Sequence, residues 1–187
     1  MGRWSPDARG RLAQAALELY GERGFAQVTV SEIAQRAGLT ERTFFRHFAD
    51  KREVLFSGAG ALEERILTAL GSAPAPLSAI DAVGVAVEAG AGLFQDRRRF
   101  AGQRQAIISA NAELQERERI KLASLATALA DGLRRRGVPD RAASLAAEMG
   151  IAVFRVSFER WIEEDDGRDF SQIVMESLND LKTVARS

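Results

Sequence analysis

Residues 25–53, FAQVTVSEIAQRAGLTERTFFRHFADKRE, constrain the fold more than any other stretch of the chain. They spell two short helices joined by a glycine turn, with a further helix start close behind. In the first helix Val30, Ile33, Ala34 and Ala37 recur at helical spacing. Thr29 before it and Glu32 three residues on form a capping box. Gly38 ends it, where a left-handed backbone costs glycine nothing. Thr40 then caps the second helix, on which Phe44 and Phe48 face inward. Arg42, Thr43, Arg46 and His47 share the opposite arc, which spans about 140° at 3.6 residues per turn. A short helix with an aromatic inner face and a cationic, hydrogen-bonding outer face suits the major groove of DNA.

The remainder of the chain is helical in pattern too. A first helix is expected from about Pro6 to Arg23, with Leu12, Ala13, Ala16, Leu19 and Tyr20 inside and Gly24 as its stop. Asp50 and Glu53 bracket a second capping box, which predicts a fourth helix running to about Leu70. The run Gly71-Ser72-Ala73-Pro74-Ala75-Pro76 breaks the chain. Helices are expected beyond it at about 78–94, 97–110, 112–136, 139–164 and 170–185. The fold class is therefore all-α, with about nine helices: an N-terminal helix-turn-helix domain over 1–56 and a helical domain over 57–187.

Composition narrows the function. The 187 residues include no cysteine, which removes disulfides and thiolate metal sites and fits a reducing cytoplasm. No 18-residue apolar run exists, so no membrane span is expected. MGRWSP lacks the apolar core of a signal peptide and, with Pro6 in place of Ser or Thr, misses the myristoylation pattern. Net charge is zero, but residues 1–56 carry nine Lys/Arg against seven Asp/Glu. That excludes a protein coating DNA by bulk charge and allows a site-specific binder with a few placed cations. His47 is the only histidine, so no catalytic or metal constellation can form around it. Gly58-Ala59-Gly60 follows no strand and lacks a third glycine, so it is not a dinucleotide loop. No enzyme activity, metal or cofactor is expected.

The string TVSEIAQRAGLTERTFFRHFADKREVL resembles the TetR (tetracycline-repressor) family of bacterial transcription regulators. The resemblance is specific over residues 9–56 and rests on helix count and order beyond residue 60. RQAIISANAELQERE and AVFRVSFERW are similar to the group of that family with acyl-CoA-like ligand domains. The resemblance implies that Glu41, Arg42 and Phe45 approach base edges, and that Thr29, Thr43, Arg46, His47 and Lys51 meet or flank phosphates. With Thr40, these form the candidate DNA-binding set. Family members often carry tyrosine at position 45. Phe45 has no hydroxyl and can only pack, for instance on a thymine methyl. Asp50 would repel phosphate, so its expected role is the cap.

The helix over 139–164 is apolar on two sides. Ala147, Gly150, Ile151, Phe154, Phe158, Trp161 and Ile162 make one stripe, and Met149, Ala152, Val153 and Val156 make another. Such a helix needs two partners. One is its own domain, and the other, as the resemblance implies, is the same helix of a second subunit. Arg104 is flanked by Phe100, Ile107 and Ile108. It is read either as a pocket cation for an anionic ligand or as an internal partner of Glu148 or Glu159. Phe100, Arg104, Ile107, Ile108, Phe154 and Phe158 are the candidate ligand pocket. Gly84, Gly90 and Gly92 are expected to leave room beside it. Arg134-Arg135-Arg136 is read as a solvated helix end. The expected protein is a cytoplasmic homodimer that binds a palindromic DNA operator and lets go when a small-molecule effector binds. That effector is expected to be apolar with an anionic group. The alternative is an activator or a ligand-independent regulator, such as a division or nucleoid factor.

Overall fold

The computed structural model describes residues 7–164 and 167–186. Among the described residues there are nine α-helices and no strand. They are α1 (Ala8–Arg23), α2 (Val30–Arg36), α3 (Glu41–His47), α4 (Ala59–Ser72), α5 (Ala79–Ala91), α6 (Arg98–Ser109), α7 (Ala112–Arg135), α8 (Asp140–Glu163) and α9 (Phe170–Val184). The predicted start of the first helix at Pro6 lies outside the described residues. No helix is long and apolar enough to cross a membrane.

The chain forms two compact units. The first comprises Met1–Gly58 and Gln103–Arg117, the second Ala59–Gly102 and Glu118–Ser187. The sequence boundary at 56/57 assigns 103–117 to the C-terminal part, yet this corner packs within the first unit. Ile107, Ile108 and Leu114 join Leu12, Leu19, Tyr20, Ile33 and Phe44 in one core. Gly24, at φ +81°, turns the chain after α1 and lets Phe25 fold inward against Tyr20, ring centres 5.1 Å apart. Phe25–Gln27 is a short 3₁₀ turn.

The predicted fourth helix starts later than expected. Asp50 does cap, accepting from the backbone N–H of Arg52 at 2.8 Å and of Glu53 at 3.1 Å. What it caps is a 3₁₀ turn over Glu53–Phe56, and α4 begins only at Ala59. Val54, Leu55 and Phe56 are all buried. Three consecutive residues of an α-helix fan over about 200°, too wide for one buried face, and Gly58 and Gly60 weaken a helical continuation.

In the second unit α5 lies against α4, α8 and α9. Small residues permit the close approach. A Cβ on Gly84 would strike Leu178 of α9, and one on Gly150 would strike Val83 of α5. A Cβ on Gly90 would come within 2.6 Å of Ile66. Gly84 and Gly90 thus seat neighbouring side chains and do not leave the open space expected of them. Phe94, Phe154, Phe158, Trp161 and Phe170 gather in one aromatic cluster, with Trp161 stacked on Phe170 at 5.1 Å.

Two further expectations change. Arg136 is not a solvated end. Its guanidinium donates to the carbonyls of Leu70, Ala73 and Pro74 at 2.8–3.0 Å, capping the carbonyls that α4 leaves open. On α8, Val153 is buried in its own unit's core, 5% exposed, instead of standing on the far side. The outer stripe consists of Leu145, Met149, Ala152 and Val156, spaced by four, three and four residues. Leu145 is 63% and Val156 51% exposed.

Candidate nucleic-acid interface

The α2–turn–α3 segment is built as its sequence requires. The Thr29 hydroxyl accepts from the Glu32 backbone N–H at 3.3 Å, while the Glu32 carboxylate accepts from the Thr29 backbone N–H at 2.8 Å. Gly38 adopts φ +66°, and the N–H of Leu39 closes the helix end on the Ala34 carbonyl at 2.8 Å. Thr40 caps α3 through the N–H of Thr43 at 3.2 Å. Phe44 is fully buried and Phe48 nearly so. These two anchors decide which way the rest of α3 faces.

Glu41, Arg42, Phe45 and Arg46 are exposed, whereas Thr43 and His47 are half-buried. The outward arc is therefore centred on Arg42, Phe45 and Arg46, and turned away from the Thr43–His47 side relative to the sequence reading. Phe45 is 56% exposed, an uncompensated apolar surface between two cations. A free guanidinium at Arg42 has the fork that matches guanine O6 and N7, and Phe45 offers apolar contact to a thymine methyl.

The flanking residues are less free. The Thr29 hydroxyl also donates to Glu32 at 2.8 Å, so a phosphate at this helix start would meet the Glu32 carboxylate. The Nε2 of His47 is buried and has no hydrogen-bond partner. Lys51 directs its ammonium inward, onto the carbonyls of Phe25, Ala26 and Val28. Sequence reasoning missed this cradle, because the 3₁₀ turn that presents those carbonyls leaves no periodic signal.

Glu32 carries an acid-sensitive link. The backbone N–H of Thr29, the Arg23 guanidinium and the Thr29 hydroxyl hold its carboxyl at about 2, against an ordinary 4.5. A lowered folded-state pKa gives stability that is present above about 4.5 and lost as pH falls toward about 2. Proton uptake on acid unfolding should include this group across that window. Glu32→Gln should remove the uptake and flatten the acid limb of a pH–stability curve. An unchanged limb would mean that the box contributes nothing.

The six candidate pocket residues are divided between the units. Ile107 and Ile108 are buried in the first unit's core. Arg104 also belongs to the first unit; its Nε donates to the Leu55 carbonyl at 2.6 Å and its guanidinium lies 5.1 Å over the Phe56 ring. Phe100 lies in the second unit, 37% exposed, and Phe154 and Phe158 sit in its aromatic cluster. A cavity of about 180 Å³ borders that cluster, lined by Trp161, Phe170, Arg98, Arg168, Asp96 and Ser171 among others. It is smaller than the roughly 300–1,000 Å³ of a typical ligand pocket.

Residues 12–57 match the tetR family of bacterial regulatory proteins, and residues 77–186 match the MftR C-terminal domain. Over 88 residues the chain is 39% identical to the HTH-type transcriptional regulator TcmR of Streptomyces glaucescens, covering 47% of this chain and 39% of that one. The match to YerO, an uncharacterized HTH-type transcriptional regulator of Bacillus subtilis, is 31% over 51 residues and covers 27% and 18%. The chain thus spans well under half the length of these relatives. Its fold is that of the fatty acid degradation regulator FadR from Bacillus halodurans, with a TM-score of 0.65 at 20% identity over 96% of both chains. FadR from Bacillus subtilis, solved in complex with stearoyl-CoA, gives a TM-score of 0.64 at 22% identity over 92% of this chain and 96% of that one.

Proposed function

Because the chain belongs to the TetR family of bacterial regulatory proteins, we propose that it is a cytoplasmic homodimeric repressor that a small-molecule effector releases from a palindromic operator. One observation carries the reading: the buried Phe44 and Phe48 hold Arg42, Phe45 and Arg46 outward on a capped helix. A dimer would place two such helices in successive major grooves, about 34–36 Å apart. The exposed stripe of α8 is the surface through which the second subunit would join. The effector acts by binding best to a dimer whose helix spacing no longer fits the operator.

The effector class follows from two supports. FadR of Bacillus subtilis was solved with stearoyl-CoA, an apolar chain with an anionic head. Phe154 and Phe158 belong to an aromatic cluster bordered by Arg98 and Arg168. Entry of such a molecule would require the cluster to part, since the cavity as it stands is too small. Arg104 keeps the Leu55 carbonyl in this scheme and is not assigned to the ligand.

Retardation of a duplex taken from upstream of the protein's own coding sequence tests DNA binding. Arg42→Ala should weaken that binding by about 1–3 kcal/mol and relax one base preference. Unchanged affinity and base preference in that variant would remove α3 as the reading helix.

A further inference from the structure

We propose that Lys51 is a positioning residue that fixes the recognition helix from inside, and not a phosphate ligand; this rests on the DNA-binding reading above. Its ammonium donates to three carbonyls: Phe25 at 2.9 Å, Ala26 at 3.3 Å and Val28 at 2.9 Å. An ammonium has three N–H donors, so each is matched to one acceptor. The Phe25 ring lies 4.5 Å from the nitrogen and adds a cation–π contact. The Lys51 carbonyl in turn accepts from the Tyr20 hydroxyl at 2.7 Å. Burial, and next the charge of Asp50, hold the Tyr20 phenol well above its ordinary pKa, so it remains a donor.

Side chain and main chain of one residue therefore tie the exit of α3 to the end of α1 and to the turn that leads into α2. The carbonyls concerned need this partner. They lie in and just after the 3₁₀ turn Phe25–Gln27, where few backbone donors are in reach, and a buried carbonyl left unpaired is costly. The recognition helix is thereby held at both ends, by Thr40 at its start and by Lys51 beyond its finish. A phosphate could recruit the ammonium only by stripping it from these carbonyls.

The two roles differ in measurable ways. A phosphate contact contributes about 0.9 to the slope of log affinity against log salt and little to the free protein's stability. A clamp contributes to stability and leaves the slope alone. In the full chain without DNA, Lys51→Met should melt about 5 °C lower or more, with faster amide exchange over residues 25–28. On the upstream duplex it should lose affinity with the wild-type salt slope. Lys51→Arg covers the case of a Met variant that does not fold. A planar guanidinium can serve a phosphate but cannot converge on three carbonyls, so this variant should also melt low. Wild-type melting in both variants, or a slope reduced by about one, overturns the proposal. A wild-type chain that retards no duplex would instead overturn the regulator reading, while the melting and exchange comparison still decides the clamp.

Discussion

Val153→Glu should unfold the second unit, whereas Leu145→Glu combined with Val156→Glu should give a folded monomer that has lost operator binding. The two outcomes follow from positions only a few residues apart on α8. Val153 is 5% exposed and packs in the unit's own core. A carboxylate there would be buried without a partner, at a cost of several kcal/mol. That is a large part of the roughly 5–15 kcal/mol that holds a typical domain together. Leu145 and Val156 are 63% and 51% exposed, so charges on them remain in water in the isolated chain. They would be desolvated only where a second subunit covers the stripe. Circular dichroism melts separate the first outcome from the second, and sedimentation reads the oligomer. A double variant that still sediments as a dimer would place the interface elsewhere. Wild-type protein sedimenting as a monomer at micromolar concentration would remove the dimer itself.

The contrast also shows what the sequence could and could not convey. Helical periodicity placed α8 correctly and marked it as apolar on two sides. It could not divide Val153 from Val156. They are three residues apart, about 60° around the helix, and the edge between core and outer stripe falls between them. Capping chemistry was legible wherever it is local: Thr29 with Glu32, Thr40 with Thr43, and Asp50 with the N–H groups just after it. Partners far apart in sequence were not. Arg136 reaches carbonyls more than 60 residues away, and its place in a run of three arginines suggested only a solvated end. Lys51 was read through the resemblance as a phosphate neighbour, because nothing local announces the carbonyls of Phe25, Ala26 and Val28. Arg104 was recognised as an arginine among apolar side chains. Its acceptor, the Leu55 carbonyl, belongs to a 3₁₀ turn that the capping pattern had presented as the start of an α-helix. The outer arc of α3 was legible in kind, and its centre was corrected by the depth at which Phe44 and Phe48 are buried.

Phe44→Ala and Phe45→Ala should fail in opposite ways, although the residues adjoin. Phe44 is fully buried and stacks edge-on or tilted against Phe45 and Phe48, with ring centres 5.5 Å apart in each pair. Its removal leaves a ring-sized void beneath α3, a change that costs about 3–5 kcal/mol in a packed core. The first unit should then lose its cooperative melt and all operator binding together. Phe45 is 56% exposed, and surface changes of this kind usually shift stability by less than about 0.5 kcal/mol. Phe45→Ala should therefore keep the wild-type melt while operator affinity falls. The fall should be greatest for duplexes with thymine at the contacted step, since only the methyl group offers an apolar partner there. Phe45→Tyr should fold equally well and gain a hydroxyl that can donate to phosphate. Melting curves and duplex titrations on the same samples separate stability from contact. A stable Phe44→Ala that binds normally would show that α3 is not held by its aromatic inner face. A Phe45→Ala with unchanged affinity on every duplex would turn the exposed ring away from the DNA.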